Sequence, residues 1–281
     1  MIIFKKEQDL REYLSEQNRQ GRTIGFIPTM GALHAGHRSL IEKAKEGNML
    51  TVCSIFVNPT QFNDKNDFIN YPITEDEDTT LLIDAGCDVL FIPSVDEIYP
   101  NGQQQNHVEL GYIATVLEGA YRPGHFNGVA QVVERLLAIV NPQYLFLGQK
   151  DYQQCMVIKK LLELKKNDQV QLVICPTVRE EDGLAMSSRN LRLTDPQRAL
   201  AAIIYQCLVA IQTKQNSDNF DLVQKQCLDL LKAKGFQPEY VALANADDLS
   251  LMDNYENNTS MVALIAAKIA DIRLIDNLLL N

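Results

Sequence analysis

The alternation of strand-like and helix-like hydrophobic patterns over roughly the first 175 residues constrains the fold more than any other feature of this sequence. A short apolar run at residues 23–28 leads into a glycine-containing turn and then a helical pattern through Leu40, Ile41 and Ala44. The unit recurs, with candidate strands at 49–57, 88–92, 144–147 and 170–175 and candidate helices at 76–85, 128–140 and 151–164. Strands that alternate with helices are typical of a parallel sheet. We therefore expect an α/β, Rossmann-like architecture here.

The pattern changes after Pro176. Long helical patterns follow at 196–213 and 220–234, and strand candidates lie at 240–244 and 261–269. The polar segment 245–260 between these strands predicts a surface loop. We therefore expect two domains, a Rossmann-like domain at residues 1–176 and a smaller α+β domain at residues 177–281.

The charge and the cysteines limit the possible partners and compartments. A net charge of −10 over 281 residues argues against a nucleic-acid partner and a polybasic membrane anchor, because both depend on clustered Lys and Arg. Six cysteines lack the CxxC spacing of redox or zinc sites, so we expect reduced core thiols. The first residues lack a secretory apolar core, and no run reaches about 18 apolar residues. We therefore expect a cytoplasmic protein that does not associate with a membrane.

The sharpest local signal is the segment PTMGALHAGH at residues 28–37, at the predicted end of the first strand and the start of a helix. Ligands of parallel sheets bind at such strand ends. Gly31 and Gly36 allow close approach of the backbone to phosphate, and a helix N-terminus presents N–H groups to an anion. His34 and His37, spaced i and i+3, would share one helix face and donate to the same phosphate oxygens.

Two other interpretations of these histidines stay open on the residues alone. They could be a helix cap and a surface residue, or two ligands of a metal ion. A metal site needs further ligands, and only His107 and His125 remain, without convincing spacing. The local context favours nucleotide binding.

His-Ala-Gly-His after the first strand resembles the HIGH signature of the nucleotidylyltransferase and class I aminoacyl-tRNA synthetase superfamily. With the preceding PTMGAL, it resembles the pantothenate synthetase family in particular. Further segments agree in order along the chain: FVNPTQF at 56–62, YRPGHF at 121–126, GQKDYQQ at 148–154, DGLAMSSRN at 182–190 and RLIDN at 273–277. The resemblance therefore covers both expected domains.

This resemblance implies an ATP-dependent condensation of (R)-pantoate with β-alanine that gives pantothenate, AMP and pyrophosphate through a pantoyl adenylate. It implies a catalytic first domain that binds ATP and pantoate, and a C-terminal lid domain. It also implies Mg²⁺ as cofactor and a homodimer formed through the N-terminal domain.

The matching positions carry implied roles. The implied ATP-binding residues are Met30, Gly31, Ala32, Leu33, His34, Ala35, Gly36, His37, Gly148, Gln149, Lys150, Asp151, Val178, Met186, Ser187, Ser188 and Arg189. Those with an implied catalytic role are His34, His37, Lys150, Ser187, Ser188 and Arg189. Gln61 and Gln154 would bind pantoate, with Gln61 beside the β-alanine site, and Asp78 would be linked to magnesium.

The glutamines and the lysine also make chemical sense by themselves. The amides of Gln61 and Gln154 can donate and accept at once without adding charge beside a carboxylate nucleophile. Lys150 at a strand end can reach phosphate as a mobile point charge. Each has a plainer alternative, since Gln61 could be a turn residue and Lys150 with Asp151 a solvated ion pair.

The remaining motifs have structural alternatives as well. The 187–188 serine pair with Arg189 suits phosphate, but could be a helix cap with a surface arginine. The acidic run 75–78 could be an ordinary helix start, because the helix dipole favours carboxylates there, whereas Mg²⁺ prefers one or two carboxylates plus phosphates. Ile73 stands where the family usually has an arginine, which weakens the case for a charged contact there.

Three alternatives compete with amide formation. One, a catalytically inactive interaction protein, is disfavoured because every expected phosphate contact is present. A nucleotidylyltransferase of the same superfamily would transfer AMP and stop there, and the two glutamine motifs argue against it. An RNA-binding or aminoacylation module would share the HIGH signature, but the acidic net charge argues against it.

Overall fold

A computed structural model describes every residue except 63–67, 70, 103–107, 216 and 281. His107, to which the sequence assigns no role, therefore lies outside the described residues. The chain packs as two compact units. The first unit comprises Met1–Gly148 and Val157–Pro176, and the second comprises Gln149–Met156 and Thr177–Asn281. The segment Gln149–Met156 thus groups with the second unit, although it precedes the sequence-based division at residue 176.

A six-stranded parallel sheet organises the first unit. Its strands are β1 Ile2–Phe4, β2 Ile24–Thr29, β3 Leu50–Ile55, β4 Val89–Phe91, β5 Tyr144–Gly148 and β6 Gln171–Cys175. Their order in the sheet is β1-β4-β3-β2-β5-β6, and every neighbouring pair is parallel. The chain therefore passes from β2 to β3 on one side and later adds β5 on the other side. The carboxyl end of β2 is the point where the strand order reverses, and ligands of open α/β sheets bind at such points.

Helices follow the strands, and those predicted around Leu40 and at 76–85, 128–140 and 151–164 are present, whereas β1 and the helix that follows it were not predicted. They are α1 Glu7–Arg19, α2 Ala35–Glu46, α3 Glu75–Asp84, α4 Val95–Ile98, α5 Glu118–Tyr121 and α6 His125–Val140, and α7 Tyr152–Leu164 has residues in both units. Short 3₁₀ helices span Pro59–Gln61 and Gly111–Ala114. Leu40, Ile41 and Ala44 of α2 are buried, as predicted. Gly25 of β2 is needed for close packing, because an added Cβ would lie 3.0 Å from the Phe146 ring.

An antiparallel sheet organises the second unit. Its strands are β7 Phe236–Asn245, β8 Leu251–Met252, β9 Met261–Ile269 and β10 Ile272–Leu280, in the order β10-β9-β7-β8. Its helices are α8 Asp195–Ala201, α9 Ile203–Lys214 and α10 Phe220–Ala233, and 3₁₀ helices span Gln149–Asp151 and Ser188–Arg192. The single helix predicted at 196–213 is wrong, because the chain breaks at Ala202 into α8 and α9.

The fold class is confirmed: a Rossmann-like parallel sheet with helices is followed by a smaller unit built on an antiparallel sheet. All six cysteines are buried, and none of them forms a disulfide. Among the described residues, no helix is both long enough and apolar enough to cross a membrane.

Candidate active site

The loop after β2 turns sharply through two left-handed residues. Gly31 has φ +82° and Ala32 has φ +49°, a conformation that costs a residue with a side chain more than it costs glycine. The Thr29 hydroxyl donates to the Ser54 carbonyl on β3 at 2.7 Å and accepts from the Gly31 N–H at 3.3 Å. The loop is therefore anchored to the sheet where the strand order reverses.

His34 and His37 form a reciprocal cap at the start of α2. The Gly36 N–H donates to His34 Nδ1 at 3.1 Å, and the His34 N–H donates to His37 Nδ1 at 3.3 Å. The ring centroids are 4.2 Å apart. Because both Nδ1 atoms accept, the proton of each neutral imidazole is on Nε2, which makes Nε2 the donor. The histidines therefore cap the helix and also place two N–H donors next to each other.

Asp78, the sequence-predicted magnesium ligand, binds this loop. Its Oδ2 accepts from the Ala32 N–H at 2.9 Å, and its Oδ1 accepts from the Leu33 N–H at 2.7 Å and the Thr74 hydroxyl at 3.1 Å. Asp78 is 2% exposed. No group of three or more His, Cys, Asp or Glu in the described part of the chain could hold a metal ion. The Asp78 carboxylate is therefore held by hydrogen bonds from the loop and from Thr74.

Gln61 lies in the same unit and contacts the same loop. It belongs to the 3₁₀ helix Pro59–Gln61 and is buried. Its Nε2 donates to Met30 Sδ at 2.8 Å, and its Oε1 accepts from Asn58 Nδ2 at 3.2 Å. The predicted pantoate-binding amide and the predicted nucleotide loop are thus brought together in the first unit.

Asn58, whose role the sequence analysis missed, is the centre of the polar contacts around Gln61. It is 1% exposed, and its Nδ2 also donates to the Gly128 carbonyl at 3.2 Å. Its Oδ1 accepts from the hydroxyls of Thr60 and Tyr99, both at 3.0 Å. Burial raises the pKa of Tyr99 above its usual value, so this phenol stays a donor at neutral pH. The position of Asn58 in FVNPTQF was the available signal.

His125 and Gly128 on α6 contact the 3₁₀ helix that carries Gln61. His125 is buried, and its Nδ1 lies 2.8 Å from the Gln61 carbonyl, so Nδ1 must carry the hydrogen. A Cβ at Gly128 would lie 2.4 Å from the Thr60 carbonyl oxygen and 3.0 Å from Gln61 Cα. Only glycine allows α6 to come this close.

In the second unit, Lys150 lies in the 3₁₀ helix Gln149–Asp151, which β10 holds in place. Asn277 of β10 is 2% exposed, and its Nδ2 donates to the carbonyls of Gln149 and Lys150, each at 2.9 Å. The Lys150 ammonium is 3.8 Å from the Asp151 carboxylate, too far for a strong pair. Gln154 is half-buried in the first turn of α7, as predicted. Asn277 lies in the RLIDN segment, but no sequence pattern indicated this role.

The segment from Val178 to Arg189 forms a hairpin that runs into a 3₁₀ helix. The Met186 N–H donates to the Val178 carbonyl at 3.0 Å, and Ser187 Oγ accepts from the Arg189 N–H at 3.3 Å. Ser187 therefore caps the 3₁₀ helix Ser188–Arg192, which is the structural alternative that the sequence left open for this serine. β10 packs against this 3₁₀ helix as well as against Gln149–Asp151. The two predicted phosphate-binding segments of the second unit thus share one supporting strand.

Arg179 attaches the hairpin to β10. Its Nη1 and Nη2 lie 2.6 and 3.0 Å from the two Asp276 carboxylate oxygens, and its guanidinium lies 4.1 Å from the Tyr205 ring centroid. Burial raises the pKa of Asp276, while Arg179 opposes the rise. We take the ionised pair as the state at neutral pH, because the bidentate geometry is that of a charge-assisted bond. Sequence reasoning missed Arg179, which lies next to the predicted Val178.

A parallel sheet that reverses its order at β2, with a glycine loop and a helix N-terminus at that point, defines the Rossmann-like class of nucleotide-binding α/β proteins. Within that class the chain belongs to the pantoate–β-alanine ligase family, whose family model matches residues 2–279.

Individual relatives agree with this assignment. The chain is 44% identical to a pantothenate synthetase of Cytophaga hutchinsonii over 100% of this chain and 99% of the relative. It is 42% identical to one of Porphyromonas gingivalis, over 99% of each chain. A crystal structure of pantothenate synthetase from Thermus thermophilus superimposes with a TM-score of 0.91 at 38% identity, over 99% of each chain. A pantoate–β-alanine ligase from Francisella tularensis, complexed with β,γ-ATP and β-alanine, gives 0.83 at 38% identity, over 99% and 97%.

Proposed function

We propose that this ligase joins (R)-pantoate to β-alanine by way of a pantoyl adenylate, with the residues described above in specific roles. Membership of the family makes the chain an ATP-dependent ligase that forms an amide bond. The observation that carries the proposed roles is the cluster in the first unit. There the histidine pair, the left-handed loop and Gln61 lie together at the carboxyl end of β2.

Activation through ATP is needed because a carboxylate is a poor electrophile with a poor leaving group. In the first step a pantoate carboxylate oxygen attacks the α-phosphorus, and the bond from that phosphorus to the pyrophosphate oxygen breaks. In the second step the β-alanine amine attacks the acyl carbon, and the C–O bond to AMP breaks while the nitrogen loses a proton. No protein nucleophile is required, so the protein contributes positioning and electrostatic stabilisation.

In the first unit, His34 and His37 would donate from Nε2 to the α-phosphate, where negative charge increases in the transition state. The loop from Met30 to Leu33 and the start of α2 would supply backbone N–H groups. Gln61 would orient pantoate through its amide.

In the second unit, Lys150 would reach the phosphates as a point charge. Ser187, Ser188 and Arg189 would donate to the leaving pyrophosphate. Gln154 would be the second amide for pantoate, and Val178 would contact the nucleotide through its backbone. Gly148, the last residue of β5 in the first unit, would also contact the nucleotide. A role of the second unit as a lid is part of this proposal.

We propose that Mg²⁺ accompanies ATP, because Mg²⁺ in nucleotide-dependent enzymes is usually held by substrate phosphates together with one or two carboxylates. When bound, it would neutralise charge on the pyrophosphate. We also propose a homodimer, by family resemblance, and a cytoplasmic location, which suits six buried cysteines that form no disulfide.

The decisive test measures pyrophosphate release from ATP and Mg²⁺ with pantoate alone, with β-alanine alone and with both, with mass detection of the products. We expect a stoichiometric burst of pyrophosphate with pantoate alone, and turnover to AMP and pantothenate when β-alanine is added. Transfer of AMP without amide formation would instead identify a simple nucleotidylyltransferase. Pyrophosphate release that does not depend on pantoate would overturn the proposal.

A further inference from the structure

We propose that Asp78 is a positioning residue for nucleotide binding: its carboxylate fixes the loop that presents His34 and His37, and it does not bind metal. The inference rests on the proposed function, because it concerns the same site.

The contacts of Asp78 converge on consecutive backbone groups of this loop. The N–H groups of Ala32 and Leu33 donate to different oxygens of one carboxylate, at 2.9 and 2.7 Å. Consecutive N–H groups next to a left-handed residue form a concave anion site of the kind that binds phosphate. Here a side chain from α3 occupies that site, 46 residues along the chain from Ala32.

The backbone conformation explains why the loop needs this partner. Gly31 and Ala32 both have positive φ, and Ala32 has a Cβ that makes this conformation unfavourable. A strained turn persists only where surrounding contacts enforce it. The two N–H bonds to Asp78 act directly on the turn, and the turn sets the position of His34, two residues after Ala32.

The surroundings of Asp78 leave it little capacity for a metal ion. Three of its roughly four lone-pair positions accept hydrogen bonds, including the one from the Thr74 hydroxyl. In the described part of the chain no lysine or arginine pairs with it. Its charge is balanced by N–H groups and by its place in the first turn of α3, whose dipole favours an anion. A metal ion at Asp78 would have to displace the bonds that hold the loop.

The substitution Asp78→Asn distinguishes a role in positioning the loop from a role in binding a metal ion. Asparagine keeps one accepting oxygen but turns an NH₂ group toward a backbone N–H, so one of the two loop bonds is lost. We expect the Kd for ATP to rise about tenfold both in EDTA and with Mg²⁺. We expect the Mg²⁺ concentration that gives half-maximal activity, and the Kd for pantoate measured without ATP, to stay as in the wild type.

Two further variants control this experiment. Asp76→Asn makes the same charge change in the same turn of α3, but at an exposed side chain, and should leave the Kd for ATP unchanged. Thr74→Val removes only the hydroxyl bond to Asp78 and should raise the Kd for ATP in EDTA about threefold. Thr74→Val still tests the idea if Asp78→Asn fails to fold.

The outcomes are distinct. A metal-ligand role would appear as a normal Kd for ATP in EDTA with a raised Mg²⁺ requirement, and would overturn the inference. Equal losses of ATP and pantoate affinity with a lowered Tm would reduce Asp78 to a general structural residue, and would also overturn it. A wild-type chain without pantoate-dependent pyrophosphate release would overturn the proposed function itself, whereas a normal wild type with an equally normal Asp78→Asn variant would overturn only the role of Asp78.

Discussion

At the scale of single residues, the proposed mechanism gives the histidine pair a chemical role in addition to the capping role that the structure shows. Each Nδ1 accepts a backbone N–H at the start of α2, so each ring is oriented by the helix that it caps. This bond also fixes the tautomer and makes Nε2 the donor. A side chain that is only a cap would affect stability when removed, and one that is only catalytic would affect rate.

The substitution His37→Ala should therefore reduce the rate far more than the stability. Loss of one cap acceptor should lower the free energy of unfolding by about 1 kcal/mol. Loss of a donor to the α-phosphate should slow pantoate-dependent pyrophosphate release by about a hundredfold or more. Single-turnover kinetics and urea unfolding measure the two effects.

Arg38→Ala is the matched control, because Arg38 is the next residue and its side chain pairs with Glu42 at an exposed position. It should change neither quantity appreciably. A His37→Ala variant whose first turnover is as fast as the wild type would remove His37 from the chemistry.

Sequence reasoning found the residues that carry motifs and missed those that support them. His34, His37 and Gln61 were identifiable because each stands in a short string at a strand end. Asn58 and Arg179 act through contacts with residues distant in the chain, to Gly128 and Asp276 respectively. Such pairings depend on how the sheets are assembled, which no local pattern specifies.

At the scale of elements, the close packing of α6 on the 3₁₀ helix Pro59–Gln61 places Gln61. Gly128 makes the approach possible, since an added Cβ would lie 2.4 Å from the backbone oxygen of Thr60. That atom belongs to the backbone and cannot rotate away as the end of a side chain can.

We therefore expect Gly128→Ala to be destabilising, although alanine is the better helix former. The overpacking should cost about 1–3 kcal/mol, more than the gain of about 1 kcal/mol in helix propensity. The displaced Gln61 should raise the KM for pantoate severalfold and leave the KM for ATP less affected. Urea unfolding and steady-state kinetics measure these changes.

Gly47→Ala is the control, because its new Cβ would approach only the flexible end of Met49 within 3 Å. It should unfold and turn over like the wild type. Equal behaviour of the two alanine variants would contradict the role assigned to Gly128.

Prediction of the elements succeeded where the hydrophobic period was long and uninterrupted. α2 and α6 buried the faces that their patterns indicated. The second unit was less predictable: β10 carries the buried polar pair Asp276 and Asn277 in mid-strand, which interrupts the apolar pattern. These two residues hold the candidate phosphate-binding segments in place, so the polar pair that hid the strand in the sequence also supports the candidate site.

At the scale of the whole molecule, the candidate residues are divided between two units. The histidine pair and Gln61 belong to the first unit, whereas Lys150 and the 187–189 segment belong to the second. The proposed mechanism assigns residues of both units to adenylate formation, the step in which charge builds up on the α-phosphate and the leaving pyrophosphate. Aminolysis of the adenylate should depend much less on Lys150 if this lysine acts on the phosphates as proposed.

The substitution Lys150→Met tests whether Lys150 acts in adenylate formation and not in aminolysis. It keeps most of the length of the side chain and removes the charge, so pantoate-dependent exchange of pyrophosphate into ATP should fall by about a hundredfold or more. Formation of pantothenate from supplied pantoyl adenylate and β-alanine should stay within a few-fold of the wild type. Lys159→Met, the same change at an exposed residue of α7, should leave both reactions intact. If Lys150→Met slowed both reactions equally, the second unit would serve the whole reaction and not its first step, and the charge of Lys150 would have to act on AMP as the leaving group as well.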